Sequence, residues 1–289
     1  MTLDVLFAGL ATGSIFGLLA LGYHVTFIVA GTVNFSQGAS LMIGAVLLYE
    51  LHVHAGLPAW VAVPLVLLLC ALLGWLVERV VVRPFSRNGS VSWLLSTIAF
   101  GIIAENLVRL TFGKESRSLP SPLAAEPLRV FGAGIYPIEI VIPLVGAAVA
   151  AGLWWLSRRT LTGRALLAAA QNRDAATLQG INVTHLIVIA YVVSGVLAGV
   201  AGMLVAPKLN VSAGMGTLFG LKAFAAAIIG GMASAPGCLI AGLGYGLLEA
   251  MIAAKLPSAY REIVGFSVLI AVLAVRPNGL FGRAAVNKV

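Results

Sequence analysis

Residues 5–49 read VLFAGLATGSIFGLLALGYHVTFIVAGTVNFSQGASLMIGAVLLY and contain no Asp, Glu, Lys or Arg. A helix crosses the hydrocarbon core of a bilayer with about 20 apolar residues, so this stretch is long enough for a full span followed by a shorter one. Its only interruption is Gly31-Thr32-Val33-Asn34-Phe35-Ser36-Gln37-Gly38, uncharged but rich in amide and hydroxyl groups. No basic residue precedes the first apolar run as a cleavable signal requires, so the amino end is expected to be kept as a first span.

The remainder of the chain has the same character. Of its 289 residues 60% are hydrophobic and 10% charged, and the mean hydropathy is +1.04. A soluble domain carries about 45–50% apolar and about 25% charged residues, so there are too few polar groups here to cover a water-facing surface. Cutting the apolar runs at charges and at Gly, Pro and Asn breaks predicts spans near 5–29, 38–49, 58–77, 91–112, 137–157, 186–206, 221–231, 237–254 and 263–275. The expected fold is therefore all-α, a polytopic helical membrane protein of about eight to nine spans, some short or broken, with residues 1–289 as one domain. No length remains for a soluble catalytic domain. All five tryptophans, Trp60, Trp75, Trp93, Trp154 and Trp155, fall near the span ends, where an amphipathic indole sits best. Cys70 and Cys238 lie in or beside apolar runs and read as small buried hydrophobes.

The net charge of +8 could suggest nucleic acid, but basic loops on one face of a membrane give the same total. Loops 78–90 and 158–185 and the tail from 276 hold Arg79, Arg83, Arg87, Arg158, Arg159, Arg164, Arg173, Arg276, Arg283 and Lys288 against Glu78 and Asp174. These loops are expected in the cytoplasm and the others outside. Glycines recur at spacing four in the sets Gly9/Gly13/Gly17, Gly195/Gly199 and Gly242/Gly246, a pattern that lets helix backbones approach. A short apolar run, a turn and a second run ending in Glu occur both at 38–78 and at 221–249, which under this topology is an inverted pair.

Several chemistries are excluded by missing motifs. The one Gly-Lys pair, Gly113-Lys114, is followed by Glu115, so the chain has no phosphate-cradling loop of its own. No G-x-S-x-G elbow is present. His52 and His54 lack the second pair of ligands that a zinc site needs and read as part of a solvated loop. The span charges Glu105 and Arg109 stand at i, i+4 and can pair; with Glu139, Lys222 and Glu249 they read as structural or interfacial.

Two segments are candidate functional sites. The loop 158–185 is far longer than a connection requires. Within it Leu and Ala fill 165–170, Asn172 can cap a second short helix with Asp174 in its first turn, and Gly180 can end it. Such a slim helical pair, with Leu166, Leu167, Ala170 and Leu178 as contacts, suits a groove on a soluble partner, or rests on its own bundle. The break from Asn34 to Gly38 is the second: its polar side chains need partners if buried, and its glycines permit an unwound backbone, as in the wall of a pathway for a polar solute.

Together these features resemble the inner-membrane permeases of ATP-binding-cassette importers for branched-chain amino acids, in particular the shorter, H-type member of the permease pair. The resemblance is carried in order by Gly31 to Gly38, Glu78-Arg79 with Arg83-Pro84, Gly163-Arg164 to Gly180-Ile181-Asn182, Gly220-Leu221-Lys222-Ala223-Phe224 with Gly230-Gly231, Pro236-Gly237, and Arg276-Pro277-Asn278-Gly279-Leu280-Phe281-Gly282. It implies a translocation pathway at Asn34, Phe35, Ser36, Gln37 and Gly38, and a coupling element at Gly163, Arg164, Leu167, Ala170, Gln171, Asp174 and Gly180. It also implies the partners: a second homologous permease, two cytoplasmic ATPases that hold ATP and magnesium, a periplasmic binding protein and the lipid bilayer, with no nucleic acid, no catalytic residue and no cofactor in this chain. Ser36 and Ala39 depart from the Ala and Glu of many relatives, and since some relatives carry urea or short amides, the resemblance implies either solute class.

Overall fold

The computed structural model describes residues 3–86, 91–130, 133–257 and 260–282. The chain runs through α1 (Leu3–Ala30), α2 (Gln37–Tyr49), α3 (Ala59–Leu76), α4 (Ser92–Thr111), the single turn α5 (Pro122–Ala125), a hairpin of β1 (Leu128–Val130) and β2 (Ala133–Ile135), α6 (Pro137–Arg159), α7 (Leu161–Gln171), α8 (Arg173–Leu178), α9 (Val183–Val205), α10 (Met215–Gly230), α11 (Ala235–Lys255) and α12 (Tyr260–Val275). Helices α2 and α3 are prolonged by wider, π-type turns over Glu50–His54 and Val77–Val82. His52 and His54 thus sit in helical backbone, not in a loop; their Nδ1 atoms meet the Leu57 carbonyl at 2.8 Å and the Glu50 carboxylate at 2.6 Å.

Among the described residues six helices are long and apolar enough to cross a bilayer: α1, α3 with its extension, α4, α6, α9 and α11. The nine apolar runs each became a helix. Their ends follow from local chemistry. Gly31 closes α1 at φ +63°, a left-handed cap that L side chains avoid. Pro137 opens α6, and the side chains of Thr160, Asn172, Asn182 and Ser234 accept from backbone N–H groups at the starts of α7, α8, α9 and α11.

The spaced glycines form seams inside one chain. α1 lies along α11, where a Cβ on Gly13 would stand 2.7 Å from Leu243 Cα and one on Gly242 would stand 2.5 Å from Gly17 Cα. α9 packs likewise on α2 and α3, with Gly199 against Gly44 and Gly195 against Gly74 and the Cys70 carbonyl. Apolar side chains of α1, α6, α9, α10 and α11 fill the largest core around Phe16, Leu19 and Ala198. Cys70 and Cys238 are free thiols with no exposed surface.

Connections gather at two ends of the bundle. At one end Arg173 donates to the Val29 carbonyl, His24 meets the Met232 carbonyl, and Leu280 and Phe281 donate to the Ile229 and Gly230 carbonyls. This end joins the close of α1, the α7–α8 pair, the turn between α10 and α11, and the tail. At the opposite end Lys208 meets Glu139 and the Ala8 carbonyl, and Arg117 bridges to Val211 and Glu50. The loop 158–185 and the tail as far as Gly282 thus gather at one end, while Arg87, Arg283 and Lys288 of the basic set lie outside the described residues.

Candidate translocation and coupling sites

After Gly31 the chain does not leave the bundle but turns back into it. Gln37, the first residue of α2, reaches the level of Gly22 in α1 and of Ser194, midway along α9. Gly22 has no side chain because the Gln37 amide occupies that space. α2 therefore begins inside the protein, and with its wider turn it runs on to His54. α10 is its counterpart of opposite direction. A Cβ on Gly38 would stand 2.9 Å from Gly220 Cα, and Gly216 packs on Gly38 and Met42, so the opening turns of the two helices cross antiparallel. This crossing gives the inverted pair noted at 38–78 and 221–249 a geometric counterpart.

The polar groups of the break are all paired. Asn34 Oδ1 accepts from the Ser36 hydroxyl at 2.6 Å and the Ser36 N–H at 3.2 Å, and Asn34 Nδ2 donates to Gln37 Oε1 at 3.4 Å. The Ser194 hydroxyl donates to the same oxygen at 2.7 Å, while Gln37 Nε2 donates to the Ser194 carbonyl at 3.1 Å. Thr32 and Tyr191 share a further hydrogen bond at 2.8 Å. Asn34, Ser36, Gln37 and Gly38 are buried; Phe35 alone is partly open, its ring centroid 4.9 Å from that of Phe224 on α10. In this conformation Asn34, Ser36 and Gln37 form a buried polar knot with Ser194, and none of the five residues from Asn34 to Gly38 lines the cavity described next.

A cavity of about 840 Å³ lies toward the opposite end, between the first halves of α1 and α10, the second half of α11 and the starts of α6 and α12. Its apolar wall includes Ile15, Phe16, Leu218 and Phe219. Lys222 projects into it from α10, ion-paired with Glu249 of α11 and, at 3.3 Å, with Glu262 of α12. Lys208 and Glu139 form a second pair on the rim at 3.0 Å. These charges do pair, as their reading as structural residues requires. That they share one cavity was not visible, because Lys222, Glu249 and Glu262 are separated by turns whose geometry no local spacing encodes. Glu105 and Arg109 pair at 2.5 Å, and Glu105 also accepts from Thr217 at 2.7 Å.

The α7–α8 pair has two faces. Gly163 packs against the backbone of Leu156 and Ser157 at the α6 corner, and Ala169 and Ala176 are buried with Val25, Val29 and Leu186. Outward stand Arg164, Leu167, Gln171, Asp174 and Gly180, with Ala170 half-buried at the margin; Leu161 and Leu178 are 85% and 87% exposed. One face of the pair rests on its own bundle, and the other is exposed. Asn172 accepts from Ala175 N–H at 3.0 Å and Gly180 stands at φ +80° just after α8, as the capping pattern predicted.

Long apolar helices packed on glycine seams define a polytopic helical membrane protein. Residues 5–273 match the family described as branched-chain amino acid transport system / permease component. The chain belongs to that family. It is 33% identical to the high-affinity branched-chain amino acid transport system permease protein LivH of Salmonella typhimurium, over 99% of this chain and 97% of the relative. It is equally similar to the corresponding protein BraD of Pseudomonas aeruginosa, over 99% and 98%. Among solved structures, a chain of PsaBC from Streptococcus pneumoniae in complex with Fab superposes with a TM-score of 0.51 at 15% identity, covering 94% of this chain and 91% of that one, a likeness of fold alone.

Proposed function

We propose that this chain is the membrane-spanning subunit of an ATP-driven importer for branched-chain amino acids in a bacterial inner membrane, with its carboxyl terminus in the cytoplasm. Residues 1–289 act as one permease domain, beside a second homologous permease, above two ATPases that bind ATP and magnesium, and below a periplasmic binding protein. The observation that carries this reading is the α7–α8 pair: a capped, ordered element on the arginine-rich end, presenting two almost fully exposed leucines, in a chain with no phosphate-binding loop. Gly163 and Gly180 set its corners, and Arg164, Leu167, Ala170, Gln171 and Asp174 form the contact surface. The Asn34 to Gly38 break lines the pathway in another conformational state, when its mutual hydrogen bonds are released to the solute. Partner ATPases can drive that change only by contacting the two states differently.

Uptake of labelled leucine, isoleucine, valine and urea by the complex reconstituted in liposomes tests the reading. ATP-dependent accumulation of the three amino acids and not of urea is expected; the reverse pattern would assign the chain to urea or short amides. In the same assay Leu161→Asp with Leu178→Asp should lower uptake by about tenfold or more, because each aspartate desolvates a charge in the ATPase contact. Parental uptake by the double variant would show that these leucines do not meet a partner.

Topology is tested separately. An impermeant thiol reagent applied to intact cells should label Ser118→Cys, exposed at the cavity end, and spare Gln179→Cys, exposed beside α8. Labelling of the second position and protection of the first would invert the proposed orientation.

A further inference from the structure

We propose that the cavity around Lys222 is the reception site for the solute's zwitterionic head group on the outer side, with Lys222 taking the α-carboxylate and Glu249 with Glu262 taking the α-ammonium. The inference rests on the importer reading above and names where its solute first docks. The cavity volume of about 840 Å³ falls within the usual ~300–1,000 Å³ of small-molecule sites, and its wall has their make-up, apolar with a few convergent polar groups. Ile15, Phe16, Leu218 and Phe219 offer the aliphatic side chain of the solute an apolar surface.

The charges are arranged for exchange. Lys222 is 6% exposed and stands between two carboxylates. One oxygen of Glu249, Oε2, is buried without a hydrogen-bond partner, as is Nε of Arg261 on the same wall. Buried polar atoms are nearly always paired, and an unpaired one costs about 1–3 kcal/mol, more when charged. A zwitterion can take Lys222 with its carboxylate and return an ammonium to the glutamates, so every charge stays paired during entry. A ligand with only one of the two charges leaves a buried partner uncompensated, which is strongly unfavourable in an apolar surrounding. Selection for free amino acids follows from that asymmetry.

The same exchange has a mechanical consequence. Lys222 ties α10 to α11 and to the start of α12. The opposite face of α10 carries Gly216, Gly220 and Phe224, which pack on Gly38 and Phe35 of the break. Opening the ion cluster therefore loosens the helix whose other face closes the polar knot, and links the outer cavity to the next stretch of the pathway.

The test uses the complete reconstituted complex carrying Ala253→Cys on the cavity wall, with Cys70 and Cys238 inert through burial. L-leucine should slow modification by a cationic thiol reagent about fivefold or more, whereas isopentylamine, which lacks the carboxylate, and 4-methylpentanoate, which lacks the ammonium, should not. Lys222→Met should abolish the protection by leucine. Glu262→Gln, at a side chain 39% exposed and therefore safe for folding, should weaken it several-fold while the subunits still co-purify; this variant decides if Lys222→Met does not assemble. The proposal is overturned if leucine fails to protect in a preparation that transports leucine, if single-charge analogues protect equally, or if protection survives in the assembled variants. A preparation that moves no branched-chain amino acid overturns the importer reading itself, and the docking site falls with it.

Discussion

Gly246→Val is expected to leave almost no folded chain in the membrane, whereas Gly244→Ala two residues away is expected to leave the amount unchanged. The missing Cβ of Gly246 points at the backbone nitrogen and Cα of Gly13 and stands 2.7 Å from the Gly9 carbonyl, all in α1. A side chain in the way could rotate; a helix backbone cannot. Accommodating valine requires α1 and α11 to separate along the most extensive helix pairing of the bundle, where Gly13, Gly17 and Gly242 meet in the same close manner. Overpacking costs about 1–3 kcal/mol, and more when the obstacle is main chain, against total stabilities of only about 5–15 kcal/mol. In a bilayer this packing is itself the force that holds helices together. Around Gly244 nothing lies within 4 Å of a built Cβ, so alanine meets no neighbour. Immunoblotting of membranes and the elution profile in detergent measure both variants, and a parental yield of the valine variant would mean that the two backbones do not lie this close.

That seam was legible because glycines at spacing four occupy one side of a helix, and no alternative use of three such glycines in an apolar run is as economical. The apolar runs were legible for a similar reason: length and lack of charge decide a bilayer span locally. What escaped were features set by long-range geometry. α10 begins at Met215, six residues before the apolar run at 221, since Gly216 and Gly220 read as breaks although they are the residues that let α10 cross α2. The hairpin at Leu128–Val130 and Ala133–Ile135 is too short for any periodic pattern to announce it. Ala169 and Ala170 look alike in the sequence, yet Ala169 is 1% exposed against the bundle and Ala170 lies at the margin, a distinction settled by the rotation of α7 about its axis.

The candidate pathway was partly legible in the same sense. Polar residues between apolar runs announce a need for partners but cannot name them; Ser194 enters the knot from α9, and nothing around Ser194 marks it as the acceptor and donor for Gln37. The cavity charges are the stronger case. Lys222 belongs to a recognisable stretch, but its two carboxylate partners come from helices α11 and α12, and only the fold brings them to one ammonium.

Gln37→Leu is expected to be the most damaging single change within the polar knot, and its effect should shrink when Ser194→Ala is added. The Gln37 amide is the hub: it accepts from Ser194 Oγ at 2.7 Å and Asn34 Nδ2 at 3.4 Å, and donates to the Ser194 carbonyl at 3.1 Å. Leucine leaves the Ser194 hydroxyl and the Asn34 amide buried without partners, at about 1–3 kcal/mol for each, while its branched end must fit the space against Gly22 that the flat amide fills. Ser194→Ala alone removes one donor and leaves Gln37 Oε1 to Asn34, so it should cost only about 1 kcal/mol. In the leucine background the same alanine deletes an orphaned hydroxyl and should be neutral or stabilising, giving a coupling of about 1 kcal/mol or more between the two positions. Thermal retention of monodisperse protein in detergent reads all four members of this cycle. Strict additivity would mean that the hydrogen bonds across α2 and α9 contribute nothing to the closed state. The transport assay adds the functional half: with the break as the proposed pathway wall, a variant that assembles but cannot re-form the knot should lose leucine uptake more than it loses thermal stability, because closure on hydrogen bonds would need them once in every cycle.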